Sequence, residues 1–292
     1  MELSGHTKPF AVLGHPIGHT LSPCMHNAAM RALGMDAVYL AFDVHPSRLM
    51  KVLPAMADMG FGGVNLTVPL KEVAFRGLKK LDKLARVLGA VNTVRMEDSG
   101  LTGYNTDGRG FLRAIREEFN IKPRGLSMFV LGAGGAGRAV AITCALEGAG
   151  KIVLADIMAA RARSVAQEIR RLAPGVKVEA LPADPAAWRY PCAEAELVVQ
   201  ATPVGMKKGD KSLLAPSSFS RGQAMFDLVY MFPQTATMKA AAKAGARQAN
   251  GLGMLLHQGA EAFRIWTGVE PPVAVMRRAL EDAVYGRKGK QR

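Results

Sequence analysis

The run Ser127-Met128-Phe129-Val130-Leu131-Gly132-Ala133-Gly134-Gly135-Ala136-Gly137-Arg138-Ala139 constrains the chain more than any other stretch. An apolar segment of strand length enters closely spaced glycines and continues without a break into an Ala-rich amphipathic segment over 139–147. Strand, tight turn and helix are therefore expected in that order. Gly132, Gly134 and Gly137 match G-x-G-x-x-G. In that pattern the first glycine makes a sharp turn, the second lets a pyrophosphate approach the backbone, and the third lets the helix pack on the strand. The helix start offers unpaired N–H groups and a positive dipole end to phosphate. A second apolar run, 151–155, ends in Asp156, about 24 residues past the first glycine, where an acidic side chain meets a ribose.

A chain of 292 residues with 49% hydrophobic content has room for two domains, each with its own core. No apolar run approaches the ~20 residues of a membrane span. The start Met1-Glu2-Leu3-Ser4-Gly5-His6 lacks the charged and apolar regions of a leader, which predicts a soluble, cytoplasmic protein. Cys24, Cys144 and Cys192 are too far apart for a zinc ribbon and odd in number, so reduced thiols are expected. His15, His19 and His26 suggest no metal, because Pro16 and Gly18 break helical spacing and no acidic residue lies beside them in sequence. The net charge of +14 is scattered in pairs such as Lys79-Lys80 and Arg170-Arg171, and only the tail 287–292 is a basic run. With 6% aromatic residues and no stacking platform among the basic ones, solvated faces are expected rather than a nucleic-acid groove.

From the N-terminus, a strand over 9–14 runs into a Gly- and Pro-rich loop, and Ser22-Pro23 is expected to cap a helix over 24–33. Thr20 and Ser22 would then stand at a helix start, where a carboxylate is welcome; capping alone explains them equally well. The segment 62–72 reads as a strand with Asn65, Thr67 and Pro69 on one face and Lys71 at its C-terminal rim. Pro69 cannot donate to a ladder, so this strand either ends there or lies on an edge. A helix over 81–88 should close at Gly89, and two strands follow, joined by the turn 97–100. Asn-Thr then occurs twice, as Asn92-Thr93 and Asn105-Thr106, the second pair leading into Asp107-Gly108. Such residues often only shape loops, yet Asn65, Lys71, Asn92 and Asp107 all fall at strand ends of one α/β unit, where ligand sites lie. A helix over 111–119 follows, and strands and helices alternate throughout, which predicts a parallel sheet with right-handed crossovers. Gln258 lies on a helix over 254–266, next to Gly259, and is as consistent with a solvent-facing position as with a ligand contact.

On these residues the chain resembles the shikimate dehydrogenases of the shikimate/quinate dehydrogenase family. The similarity runs nearly end to end. It comprises Gly14-His15-Pro16-Ile17 with Leu21-Ser22-Pro23, Val64-Asn65-Leu66-Thr67-Val68-Pro69-Leu70-Lys71, Gly89-Ala90-Val91-Asn92-Thr93, Asn105-Thr106-Asp107-Gly108 and the glycine loop. It continues through Ala201-Thr202-Pro203-Val204-Gly205-Met206, Asp227-Leu228-Val229-Tyr230 and Gly251-Leu252-Gly253-Met254-Leu255-Leu256-His257-Gln258-Gly259-Ala260-Glu261.

The resemblance implies an α/β protein with an N-terminal substrate domain (1–110), a Rossmann-like dinucleotide-binding domain (111–248), and C-terminal helices (249–292) returning to the first domain. It implies reversible NAD(P)-linked reduction of 3-dehydroshikimate to shikimate, a step toward chorismate and the aromatic amino acids. By the same resemblance Lys71 and Asp107 are the catalytic pair, and Thr20, Ser22, Asn65, Thr67, Asn92, Tyr230 and Gln258 hold the substrate's carboxylate or ring hydroxyls. Gly132, Ala133, Gly134, Gly135, Ala136, Gly137, Asp156, Arg161, Thr202 and Gly251 are the cofactor contacts. Two positions depart from the family. Thr20 replaces a serine, which bears on the choice between shikimate and the bulkier quinate. Asp156-Ile157-Met158 replaces the Asn-Arg-Thr of NADP users, so Asp156 favours NAD where the family norm is NADP, with Arg161 as a substitute phosphate partner. An NAD-dependent quinate dehydrogenase, a folate-linked dehydrogenase, and a non-catalytic dinucleotide-binding sensor are the competing readings. A small-molecule substrate and no nucleic acid, membrane or metal partner are expected, and a homodimer is left open.

Overall fold

The computed structural model describes residues 3–286; Met1, Glu2 and the basic run 287–292 lie outside them. The chain divides into two compact units, Met1–Thr106 with Leu256–Arg292, and Asp107–Leu255.

In the first unit the elements are β1 (Lys8–Gly14), α1 (Ser22–Ala32), β2 (Ala37–Asp43), α2 (Leu49–Asp58), β3 (Gly63–Leu66), α3 (Leu70–Gly77), β4 (Lys80–Leu81), α4 (Lys83–Leu88), β5 (Thr93–Glu97) and β6 (Gly100–Tyr104). They form a sheet in the order β2-β1-β3-β5-β6-β4. This sheet is mixed, not parallel throughout as the alternation of elements suggests. β1 runs parallel to β2 and β3, whereas β5 is antiparallel to both β3 and β6. The turn at Asp98-Ser99 is too short for a crossover, so it closes a hairpin, and Gly100 takes the φ of +109° there. β3 is flanked on both sides, so Pro69 does not sit on an edge strand: the strand stops at Leu66 instead. Leu13, Leu49, Leu53, Leu66 and Leu70 fill the core of this unit.

The second unit contains α5 (Asp107–Phe119), β7 (Ser127–Leu131), α6 (Gly135–Leu146), β8 (Lys151–Ala155), α7 (Ala159–Leu172), β9 (Lys177–Ala180), α8 (Pro185–Glu194), β10 (Leu197–Gln200), β11 (Ala224–Asp227), α9 (Ala236–Lys243) and β12 (Arg247–Asn250). Its sheet is entirely parallel, ordered β12-β11-β10-β7-β8-β9, the doubly wound Rossmann-like arrangement. The strand order reverses between β7 and β10. Helices cover both faces, which is why β7, β8 and β10 read as continuous apolar runs. Phe129, Val153, Trp188, Val198 and Met225 are fully or nearly buried among them. Arg138 on α6 grips Glu168 on α7 with two hydrogen bonds, Nε–Oε2 at 2.9 Å and Nη2–Oε1 at 2.5 Å.

The chain ends in α10 (Leu252–Thr267) and α11 (Val273–Tyr285), and from Leu256 onward these helices belong to the first unit. α11 packs on α1. The Trp266 indole lies so close over Gly63 that a Cβ there would come within 2.3 Å of the ring, and its Nε1–H donates to the Val94 carbonyl at 3.0 Å. Among the described residues, no helix is long and apolar enough to cross a membrane.

Candidate functional site

In the first unit, polar residues on β2 and β3 and at the start of β5 converge. β3 carries Asn65, 5% exposed, whose Nδ2 donates to the Asn92 carbonyl and to Thr93 Oγ1, both at 3.1 Å. A carbonyl can only accept, so this contact fixes which end of the amide is nitrogen. Its Oδ1 accepts the Tyr39 phenol at 2.7 Å. Asn92, 2% exposed, accepts the Thr106 backbone N–H at 2.9 Å and turns its Nδ2 to Thr106 Oγ1 at 2.9 Å and to Gln258 Oε1 at 3.4 Å. Four of the sequence-predicted residues, Ser22, Asn65, Asn92 and Gln258, thus share one hydrogen-bonded cluster.

Ser22 is not the cap of α1. Leu21 holds that place with a nearly helical ψ and no side-chain cap, Ser22 is the first helical residue, and its hydroxyl bonds the Tyr39 phenol. Burial pushes that phenol's pKa well up, and the Ser22 hydrogen bond opposes the rise. Thr20, half-buried in the preceding turn, accepts the Ser22 N–H at 3.4 Å. Thr67 lies just past β3, its methyl against Gly14, where a Cβ would come within 2.6 Å of it. Lys71 is the second residue of α3, not the rim of a strand, and its carbonyl accepts the Val91 N–H at 3.0 Å. His15, without an acidic neighbour in sequence, finds one in space: its Nδ1 lies 2.6 Å from Asp43 Oδ1.

Asp107 opens α5, a full turn before the expected helix start, in a first turn that favours a negative charge. Gly108, next to it, lets the helix pack closely. A Cβ there would lie 2.2 Å from Thr143 Oγ1, so α5 docks backbone-first on α6. In the same unit the glycine loop has the geometry its pattern demands. Gly132 has a φ of +101°, and a Cβ on Gly137 would lie 1.9 Å from the Gly132 carbonyl oxygen. Gly134 and Gly135, by contrast, have nothing within 4 Å of where a Cβ would stand, so their backbone is open to a ligand at the start of α6. Ala133 is buried and Ala136 exposed. Gly132 also lies against Ala201 and Thr202, on the β7 and β10 side of the switch point.

Asp156, 6% exposed, directly follows β8 and binds two backbone N–H groups, Ala133 through Oδ2 at 2.8 Å and Met158 through Oδ1 at 2.7 Å. It clamps the loop as well as standing where a ribose is expected. Ile157 beside it is 75% exposed, and Arg161 is exposed on the first turn of α7. Thr202 donates its N–H to Gln200 Oε1 at 2.5 Å and receives Val204 N–H at 3.2 Å. Gly251 approaches β11 so closely that a Cβ would meet the Leu228 carbonyl at 2.1 Å. Tyr230 follows β11, half-buried, with its pKa raised by burial.

Several polar residues escaped sequence reasoning. Asp227, fully buried, accepts Thr235 Oγ1 (2.6 Å), Val229 N–H (3.0 Å) and Gln200 Nε2 (3.3 Å), tying together the loops after β10 and β11. Burial pushes its pKa up to about 6 against those three bonds. Tyr39 and Thr93 were missed as well. The repeated Asn-Thr pair was the available signal for Thr93; a lone Tyr in an apolar strand gave none for Tyr39.

Two family models match the chain: the shikimate dehydrogenase substrate binding domain over residues 12–94, and the shikimate 5'-dehydrogenase C-terminal domain over 251–281. A shikimate dehydrogenase (NADP(+)) of Methanopyrus kandleri is 44% identical over 282 residues, 96% of this chain and 97% of that protein. Among solved structures, shikimate 5-dehydrogenase from Listeria monocytogenes, in complex with shikimate and NAD, is 36% identical with a TM-score of 0.90, covering 96% of this chain and 98% of that one. Quinate dehydrogenase from Corynebacterium glutamicum in complex with NAD is 33% identical with a TM-score of 0.85, covering 94% and 98%.

Proposed function

The chain belongs to the shikimate dehydrogenase family, and on that premise we infer that it interconverts 3-dehydroshikimate and shikimate with NAD or NADP as the hydride carrier. The observation that carries the reading to this chain is the buried cluster around Asn65 and Asn92. A small acid bearing several hydroxyls is recognised by many oriented amides and hydroxyls, and an analogue lacking one hydroxyl is then penalised by the group left unpaired. The polar cluster of the first unit is assigned to substrate binding and the glycine loop of the second to dinucleotide binding.

The second unit fits a dinucleotide: a sharp turn at Gly132, open backbone at Gly134 and Gly135, and a helix start behind them. Gly132, Ala133, Gly134, Gly135, Ala136 and Gly137 would hold the pyrophosphate, Asp156 and Arg161 the adenosine end, and Thr202 and Gly251 the remainder. A bound nicotinamide supplies the hydride for reduction and takes it in oxidation. Lys71 donates a proton to the oxygen on which negative charge develops, and in the reverse direction removes it. Asp107 accepts a hydrogen bond from a substrate hydroxyl. Thr20 and Ser22 hold the carboxylate; Asn65, Thr67, Asn92, Tyr230 and Gln258 hold the carboxylate or the ring hydroxyls.

Asp156 supports NAD as the preferred carrier, because its carboxylate repels a 2′-phosphate and accepts a free 2′-hydroxyl. We assign the enzyme to the cytoplasm and its assembly to a homodimer, the latter checked by sedimentation velocity. Initial rates of shikimate and quinate oxidation, each with NAD and with NADP, test the whole reading. Shikimate turnover is the expected result. Turnover of quinate alone would favour a quinate dehydrogenase, a choice on which Thr20 in place of serine bears, and no turnover by folded protein would favour a sensor.

A further inference from the structure

We propose that Tyr39 and Thr93 are positioning residues whose hydroxyls join the carboxylate end of the substrate site, at Ser22, to its hydroxyl end, at Gln258, so that recognition at the two ends is coupled. The proposal rests on the shikimate reading above. Both are buried, Tyr39 1% and Thr93 0% exposed, and their hydroxyls bond to Asn65 and Asn92 rather than standing open.

The hydrogen bonds between these residues all run one way. Tyr39 gives its proton to Asn65 Oδ1 at 2.7 Å, so the bond between Tyr39 and Ser22 is donated by the serine. Asn65 Nδ2 donates to Thr93 Oγ1 at 3.1 Å, Thr93 donates to Asn92 Oδ1 at 3.0 Å, and Asn92 Nδ2 donates to Gln258 Oε1 at 3.4 Å. Both amides are fixed in this sense by backbone groups: Asn65 by the carbonyl of Asn92, and Asn92 by the N–H of Thr106. A chain of donors that all point the same way strengthens each link and transmits a change at either end.

A carboxylate arriving at Ser22 accepts the serine's hydrogen bond, drawing it away from Tyr39. The phenolic proton is then free to turn to Ser22 Oγ, because a hydroxyl rotates about its C–O bond. That turn releases Asn65 Oδ1 to accept a hydrogen bond from a ring hydroxyl. Only the proton moves; the ring is held. Tyr39 is stacked on His26 at 4.3 Å and 11°, leans on Trp266 at 6.0 Å, and has its backbone bracketed by Asn27, which accepts the Tyr39 N–H and donates to its carbonyl, each at 2.8 Å. The arrangement reads carboxylate and hydroxyl together in one substrate.

Tyr39→Phe keeps the stack and deletes the hydroxyl. Its melting temperature should fall modestly, because Asn65 Oδ1 and the Ser22 hydroxyl each lose a partner, and its KM for the dinucleotide should match wild type, while its KM for shikimate rises roughly tenfold and kcat changes less. The deciding measurement is a double-mutant cycle of Ser22→Ala and Gln258→Ala in kcat/KM for shikimate. In wild type the combined loss should depart from the product of the single losses by about fivefold or more, and in Tyr39→Phe the product rule should hold. If Tyr39→Phe does not fold, Thr93→Val takes its place, with Thr93→Ser restoring both the KM and the coupling. Shikimate turnover by wild type combined with a simple product of losses, or a coupling that survives both Tyr39→Phe and Thr93→Val, overturns the positioning role alone. Absence of shikimate turnover by wild type overturns the functional reading and the proposal with it.

Discussion

His26 should make this protein lose stability in mild acid, by an amount that a single substitution isolates. Its imidazole is wholly buried between Tyr39 and Phe263, with neither ring nitrogen hydrogen-bonded, and burial pushes its pKa from the ordinary 6.5 down to about 3. The unfolded chain therefore takes up a proton near pH 6.5 that the folded chain refuses. The contribution is fully present above that pH and is lost as pH falls toward 3, to a limit of about 5 kcal/mol. At pH 5 the loss is about 2 kcal/mol, and at pH 7 it is close to zero. The assay is urea denaturation of wild type and His26→Phe at pH 7, 6 and 5. Whatever the phenyl ring does to packing is the same at each pH, so it cancels when the stability gap at one pH is subtracted from that at another. Asp227 acts with the opposite sign, because its raised pKa adds stability as pH falls from about 6, but it is common to both proteins and cancels too. The gap should shift by about 2 kcal/mol in favour of His26→Phe between pH 7 and 5. A gap that stays constant across that range would show that His26 is charged, or solvated, in the folded protein.

Further outcomes follow from the two units taken separately. Lys71→Ala should lower kcat by about 10²–10⁴-fold with little change in shikimate KM, and Asp107→Asn should also be severe; near wild-type turnover in both, by steady-state kinetics, removes them from the chemistry. Asp156→Asn with Ile157→Arg should move the NADP/NAD ratio of kcat/KM upward. Because Asn offers one acceptor oxygen where Asp156 now uses two, the single Asp156→Asn should also cost about 1–3 kcal/mol in a thermal melt. Gly137→Ala drives a methyl group against the Gly132 carbonyl, so dinucleotide affinity measured by fluorescence titration should fall at least about tenfold while α6 shifts or strains. Wild-type affinity there would mean that the loop relaxes around the methyl.

What could be read from the sequence was contiguous in it. Strand, glycine turn and helix at 127–146 are bonded neighbours, and their geometry follows from local sterics at Gly132 and Gly137. Gly89 closing a helix is of the same kind, and its φ of +58° is the left-handed cap. β12 was missed because Arg247-Gln248-Ala249-Asn250 has no apolar alternation; as an edge strand it is held by its ladder to β11. α8 was missed because Pro191 interrupts it and its apolar face is weak, though Trp188 is fully buried. α3 was hidden by Val68-Pro69, which suggested that extended chain continues to Lys71. The cluster was legible only as a set of residue types. That Asn65 meets Thr93 and Tyr39 depends on the register of β3 against β5 and of β1 against β2 and β3, pairings that no local pattern encodes.

The discontinuity of the first unit sets an order of events during synthesis. Trp266 bonds Val94 across 172 residues, and Phe263 and Trp266 both stand against His26, so that core lacks a wall until the last helices have been made. The intervening Asp107–Leu255 is continuous and carries its own parallel sheet. At about 5–20 residues per second it takes on the order of 10–30 s to be translated. The second unit, being continuous, needs no later segment to fold as a unit, whereas the sheet bearing Asn65 is walled only once the last helices exist. The part of the chain made first is therefore the part completed last.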